Sequence, residues 1–293
     1  MSQALFKHIL CPVDFSPQCV ETLRLVRQWV DRYQAKVSLL HTVEFGHASY
    51  INWYAYIALV DLESVRTDAR RRMKDLAASA FDGCNYHIEL TEGDPAQAIS
   101  IYAKDNGVDL IMMPTTGQGR LRRLLIGSVT AKVVYDADCP VWTDTHRHGE
   151  EEIAGHVEQG PLLCAVDGTE GSLDAIRMTA AIARAEGAGL ELLHVIPSVW
   201  VDPELQPATA QNLQSVLEAD ALRRLSDLQV RAGVECPAAV THGDIPKALR
   251  TEAEKRKARL IVIGRGHMHG VLGRMRTHVN SIIERAPCPV LSV

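Results

Sequence analysis

Aromatic residues are scarce in this chain. Phe, Trp and Tyr together make up 5% of its 293 residues, so a core has to be built mostly from Leu, Ile, Val and Ala. No stretch approaches the roughly 18 consecutive apolar residues of a bilayer-spanning helix, so no membrane partner is expected. The residues from Met1 to His8 run directly into Ile9-Leu10-Cys11-Pro12-Val13-Asp14, which is too short for a signal h-region and has no small-residue cleavage site. A surplus of one charge is also missing. With 31 Lys and Arg against 36 Asp and Glu, the formal charge is 31 − 36 = −5, which offers no global attraction to nucleic acid or anionic lipid. The seven cysteines are odd in number and form no Cys-x2-Cys pair, the pattern of buried thiols in a reduced, cytoplasmic protein. With 46% hydrophobic and 23% charged residues, the composition is that of a globular chain.

What the chain does have is a repeat. Ile9-Leu10-Cys11-Pro12-Val13-Asp14 returns as Leu162-Leu163-Cys164-Ala165-Val166-Asp167, and Leu39-Leu40-His41 as Leu192-Leu193-His194, both displaced by 153. Gly93-Asp94 returns as Gly243-Asp244, displaced by 150, and Cys139-Pro140-Val141 as Cys288-Pro289-Val290, displaced by 149. Landmarks in constant order at a nearly constant offset mean that the second half copies the first. The polar stretch from Asp144 to Gly160 reads as the connection, which gives a first domain at 1–146, a linker at 147–159 and a second domain at 160–293.

Within each half, short β-branched runs alternate with helical stretches. Ile9–Val13, Val37–Val43, Tyr86–Leu90, Leu110–Met113 and Val141–Thr143 read as strands. Their counterparts are Leu162–Val166, Leu190–Ile196, a weaker run near Ala238–Val240, Leu260–Ile263 and Val290–Val293. Runs that are apolar on both faces suit a parallel sheet covered by helices on each side. Ser16-Pro17 and Asp94-Pro95 read as helix caps followed by Pro at the first helical position, with Gln97 spaced for a capping box. The expected fold is α/β, with two tandem doubly wound five-stranded parallel-sheet domains of Rossmann-like type.

Open parallel sheets bind ligands beyond the C-terminal ends of their strands. In the first half the first strand ends in Pro12-Val13-Asp14 and the fourth in Met112-Met113. After the fourth come Pro114-Thr115-Thr116-Gly117-Gln118-Gly119-Arg120 and then Gly127-Ser128-Val129-Thr130, which opens a helix expected from Val129 to Tyr135. A glycine-containing loop joined to a helix N-terminus can hold an anion on backbone amides, the dipole adding ~0.3–1 kcal/mol. A structural turn with Ser128 as N-cap accounts for the same spacing. There is no Gly-x4-Gly-Lys-(Ser/Thr) motif and no Gly-x-Gly-x2-Gly after the first strand, so neither a P-loop nor an ordinary dinucleotide site is supported.

Together, the two Val-Asp strand ends, the Gly-Asp before the third helix, Gly-x9-Gly-Ser from Gly117 to Ser128, and the closing Cys-Pro-Val resemble the universal stress protein family. The resemblance spans both halves. It implies a five-stranded fold of the adenine nucleotide alpha hydrolase-like type, ATP binding in the first domain with or without Mg²⁺, and an internal pseudo-dimer that can also form a homodimer. By resemblance, Gly117, Gly127 and Ser128 contact phosphate, with Val129 and Thr130 on the helix turn. Asp14 lies near the adenosine end, and Pro12, Thr42 and Met113 line the base pocket. Pro114 departs from the pattern: it stands where the loop's first glycine belongs and has no N–H.

The second loop departs further. His267 falls at the second glycine position and Arg276-Thr277 at the Gly-Ser pair, so no cofactor is expected there. Its arginines leave open a site for another anion. The functional expectation is a non-catalytic stress-response protein that binds adenine nucleotide. A nucleotide-independent scaffold is the alternative, with the aromatic run Tyr50–Tyr56 meeting clients, and a slow ATP hydrolase ranks below both. Arg70-Arg71-Arg72 reads as a solvated face and Arg120, Arg122 and Arg123 as either surface or phosphate contacts. His146, His148 and His156, and likewise His267, His269 and His278, lack the companions a metal site needs. Cys11 and Cys164, inside apolar strands, are expected to be inert.

Overall fold

The computed structural model describes residues 5–43, 62–116, 126–144, 160–197, 207–265 and 278–293. The chain divides into two compact units, Met1–Trp142 and Thr143–Val293.

The first unit, whose last strand runs two residues past its boundary, has β1 (His8–Pro12), α1 (Pro17–Tyr33), β2 (Lys36–Val43), α2 (Leu62–Ala80), β3 (Tyr86–Glu92), α3 (Pro95–Asp105), β4 (Leu110–Pro114), α4 (Ser128–Asp136) and β5 (Val141–Asp144). The strand order is β3-β2-β1-β4-β5. β1 runs parallel to β2, with Pro12 opposite Leu40, and parallel to β4, with Ile9 opposite Leu110 and Leu10 opposite Ile111. The switch from one winding direction to the other therefore lies between β1 and β4.

The second unit repeats the scheme with β6 (Leu162–Val166), α5 (Ser172–Glu186), β7 (Leu190–Pro197), α6 (Pro207–Ala232), β8 (Ala238–Gly243), α7 (Ile245–Arg256), β9 (Leu260–Ile263), α8 (Val279–Arg285) and β10 (Val290–Ser292). Its order is β8-β7-β6-β9-β10. The doubly wound parallel sheet expected from the repeat is present in each unit.

Local chemistry fixes the elements. Ser16, extended at φ −71°, accepts the Cys19 amide at 3.1 Å, and Pro17 follows it into α1. Cys19, Leu23, Val26 and Val30 then recur at helical spacing and are buried, each side chain contributing on the order of 1.5–3 kcal/mol. Asp94 caps α3 by accepting the Gln97 amide at 3.0 Å, and Asp244 caps α7 through the Lys247 amide at 3.2 Å. The glycines before these caps, Gly93 and Gly243, sit at φ +113° and +132°, which only glycine adopts without strain. One expectation needs correction. β3 and β8 are half-exposed rather than buried on both faces, because each lies at the outer end of its order with a neighbour on one side. The missing second neighbour also explains the weak apolar signal near Ala238–Val240.

Candidate functional site

Beyond the last residue of β1, the Val13 amide still donates to Leu40 O at 2.8 Å, which extends the strand toward Asp14. Carried forward, the two registers set Pro12 level with Met113 and Asp14 level with Thr42. A ring nitrogen of His41 lies 2.7 Å from Val13 O and pins this strand end. Asp14 is half-buried, and its Oδ1 accepts the Ser16 amide at 2.9 Å. Thr42 and Thr91 hydroxyls are 3.0 Å apart, linking β2 to β3. Pro12 O receives the thiols of Cys11 and Cys19, each at 3.8 Å, and Met113 is buried.

On the β4 side, Gly127 is the N-cap of α4, with φ −65° and ψ 149° and no side chain to accept from the first turn. Its own amide donates to Thr115 O at 2.7 Å, and the Thr130 hydroxyl, buried, donates to Pro114 O at 3.0 Å. These two bonds fix the helix mouth against the end of β4. Ala131 N reaches Gly127 O at 2.9 Å, while no acceptor among the described residues faces the amides of Ser128, Val129 and Thr130. Orphan amides on a first turn without a side-chain cap suit a phosphate chemically. Glycine at 127 is not demanded by conformation, since its φ is ordinary and an added Cβ would lie 3.4 Å from Thr115 O. What it contributes is a helix mouth without a side chain. Gly117 and Tyr50–Tyr56 lie outside the described residues, as do Arg120, Arg122, Arg123 and the histidines 146, 148, 156, 267 and 269. Pro12, Asp14, Thr42, Met113, Gly127, Ser128, Val129 and Thr130 all fall at this one end of the first sheet.

The second unit repeats the pinned strand end, with a His194 ring nitrogen 2.8 Å from Val166 O. It differs in what surrounds the aspartate. Asp167 Oδ1 accepts the Thr169 amide at 3.0 Å, the Thr169 hydroxyl at 2.6 Å and the Ser172 hydroxyl at 2.8 Å. In the first unit Ser16 stands for Thr169 and turns its hydroxyl to the Cys19 amide, and Cys19 itself stands for Ser172. The closing helix differs too. α8 has seven residues against nine in α4, and buried Val279 holds the place of Thr130 when the two helices are matched at their C-caps, Ala286 and Ala137. His278 precedes it as a cap without a side-chain bond. At the position of Pro114, Gly264 packs so closely that an added Cβ would meet Gly171 O at 3.2 Å.

A family model described as the universal stress protein family matches residues 5–143 and again 160–293. The chain belongs to this family. A universal stress protein of Mycolicibacterium smegmatis is 25% identical over 300 residues, covering 97% of this chain and 96% of its own. One from Methanocaldococcus jannaschii is 31% identical over 141 residues, which is 47% of this chain and 81% of that protein. The crystal structure of a universal stress protein from Archaeoglobus fulgidus superposes with a TM-score of 0.65 at 19% identity, covering 98% of this chain and 97% of that one, and so shares the fold. This chain is a tandem universal stress protein, with one family unit in each half.

One residue beside the site escaped the sequence reading. Phe15, directly after Asp14, has φ +60°, and its ring centroid lies 4.6 Å from that of His41 and 4.0 Å from the Arg72 guanidinium carbon. The signal was in the repeat: Phe15 + 153 is Gly168, which holds φ +78°. The cysteines behave as expected from burial, which holds the Cys11 thiol well above its ordinary range and raises Cys164 to about 12. Among the described residues no helix is long and apolar enough to cross a membrane, and no group of three His, Cys, Asp or Glu side chains gathers to hold a metal.

Proposed function

We propose that the first unit binds adenine nucleotide, ATP in particular, and acts through the bound ligand rather than by catalysis on it. The observation that carries this reading is the mouth of α4, where the first-turn amides of Ser128, Val129 and Thr130 meet no acceptor among the described residues and Gly127 puts no side chain in the way. Ser128, Val129, Gly127 and Gly117 would hold phosphates and Thr130 would brace the mouth. Asp14 would meet the ribose, and Pro12, Thr42 and Met113 the base; any Mg²⁺ would arrive with the triphosphate. Asp14 is held as a loop staple by the Ser16 amide, a geometry that favours binding over general-base work. In the second unit the three donors on Asp167 Oδ1 and the shortened α8 support a copy kept without nucleotide. Ligand binding would bias an equilibrium between conformations or partner states of a stress-response protein. The seven cysteines, none paired in a disulfide, suit a reduced cytoplasm.

Thermal unfolding of the full chain with and without ATP tests the reading. At 100 times Kd, binding adds about 2.7 kcal/mol, a rise of several degrees in the parent chain. Gly127→Arg, accepted by the local backbone but filling the mouth, removes that rise. Equal melting temperatures in the parent would favour a nucleotide-independent scaffold, the reading toward which the missing N–H of Pro114 points.

A further inference from the structure

β3 and β8 each have one neighbouring strand among the described residues, so each leaves an edge open. The Leu192 amide donates to Pro237 O and Leu192 lies opposite Ala238, so the odd-numbered residues of β8 face β7. The amides and carbonyls of Ala238, Val240 and His242 point outward, and none of them has a partner among the described residues. In the same way the Val37 amide donates to Asn85 O, which leaves Tyr86, Ile88, Leu90 and Glu92 outward on β3. Such an edge is a template for another strand unless charge or proline guards it.

The guard differs between the units. A groove between α2 and β3 is lined by Arg66, Arg70, Lys74, Leu90 and Glu92, and Arg66 pairs with Glu92. Ala69 and Met73 of α2 are buried, as are Ala221 and Leu225 of α6, so α6 follows α2 at a displacement of 152. Glu218 and His242, 2.6 Å apart, repeat the Arg66–Glu92 contact, while Arg70 and Lys74 give way to Leu222 and Ser226. Among the described residues of the second unit, the exposed large apolar side chains are Val216, Leu217, Leu222 and Val230, all on α6. α6 joins two parallel strands and so runs against β8. From the Glu218–His242 contact, four helical residues (about 6 Å) reach Leu222 and two strand residues (about 6.6 Å) reach Val240. Leu222, 47% exposed, therefore stands level with the middle of the open edge.

We infer that the β8–α6 edge pairs with the same edge of a second copy of this chain. A two-fold axis at Val240 sets β8 antiparallel to its copy, Val240 opposite Val240 and Ala238 opposite His242, so that outward groups meet outward groups. α6 packs on both β7 and β8, so the two α6 axes come about 10 Å apart, the spacing of packed helices. Leu222 then meets Leu222 at the centre and Glu218 meets Ser226 toward the rim, while Arg223 stays paired with Asp220. The same operation on β3 would set Arg70 against Arg70 and Lys74 against Arg66, which keeps the first unit's edge unpaired.

Sedimentation equilibrium of the full chain tests this. The parent's mass rises from the monomer value toward twice that value as the chain is concentrated to about 100 µM, and exchange at the Val240 and His242 amides slows with it. Leu222→Arg, which copies Arg70, and Leu222→Glu each weaken association by about tenfold or more. Both change an exposed side chain, and dilute samples keep the parent's melting temperature. Mixed in equal amounts, the two variants associate again, because the axis now joins opposite charges. A parent that stays monomeric, a dimer that Leu222→Arg leaves intact, or variants that remain apart when mixed overturn the inference.

Discussion

The two units share the strand-end histidine and its carbonyl, 2.7 Å apart in one and 2.8 Å in the other, yet satisfy their polar groups in opposite ways. At the opening of α1 and α5, the first unit spends its hydroxyl on a helix cap, while the second closes two hydroxyls and an amide onto Asp167. At the N-terminal side of the sheets the contrast recurs. His8 and Tyr102 both bond the Ser38 hydroxyl, at 2.8 and 3.1 Å. At the matching places in the second unit, Glu191 replaces Ser38, Glu252 replaces Tyr102, and Arg256, in place of Asn106, pairs with both glutamates. Duplication has kept positions and exchanged chemistry. The second unit gathers its donors on Asp167, whereas the first turns its hydroxyl to a helix cap and braces the mouth of α4 through Thr130.

Variants that break this contrast should differ in size. The largest loss is expected from Arg256→Met, which leaves Glu191 and Glu252 without their cation in a half-buried setting. About 3 kcal/mol should disappear from the second unit's unfolding in urea, against about 1 kcal/mol for Ser38→Ala in the neutral network of the first. Asp167→Ala strands three donors and should cost about 2 kcal/mol in the same assay. Thr130→Val, which copies Val279 into the first unit, removes the bond to Pro114 O for about 1 kcal/mol and should also blunt the thermal response to ATP.

The smallest effect is one of pH. Burial, with Lys36 nearby, lowers the His8 pKa from 6.5 in the folded state. The unfolded chain then binds the proton more readily, so stability falls as pH drops below about 6.5 and levels off below the folded value. Melting curves between pH 7.5 and 5 should show this slope, and His8→Gln should flatten it.

Much of the fold could be read from the sequence because the repeat, the Ser16 and Asp94 caps and the strands Leu162–Val166 and Leu260–Ile263 are set by local pattern. β3 and β8 were harder to read because half-exposed outer strands carry little apolar signal. The strand-end residues Asp14, Thr42 and Met113 were named through the family resemblance, and the registers of β1 set them at one end of the sheet. The stack of Phe15, His41 and Arg72 was not, because it depends on a left-handed backbone and on a helix crossing from 57 residues away, which no spacing rule encodes. Only comparison of Phe15 with Gly168 exposes it.

The central claim is that one unit of this tandem chain takes nucleotide and the other does not. Titration of the full chain with ATP measures that directly. The account predicts one ATP bound per chain and none after Gly127→Arg. Two ATP per chain, none at all, or one that persists in Gly127→Arg would contradict it.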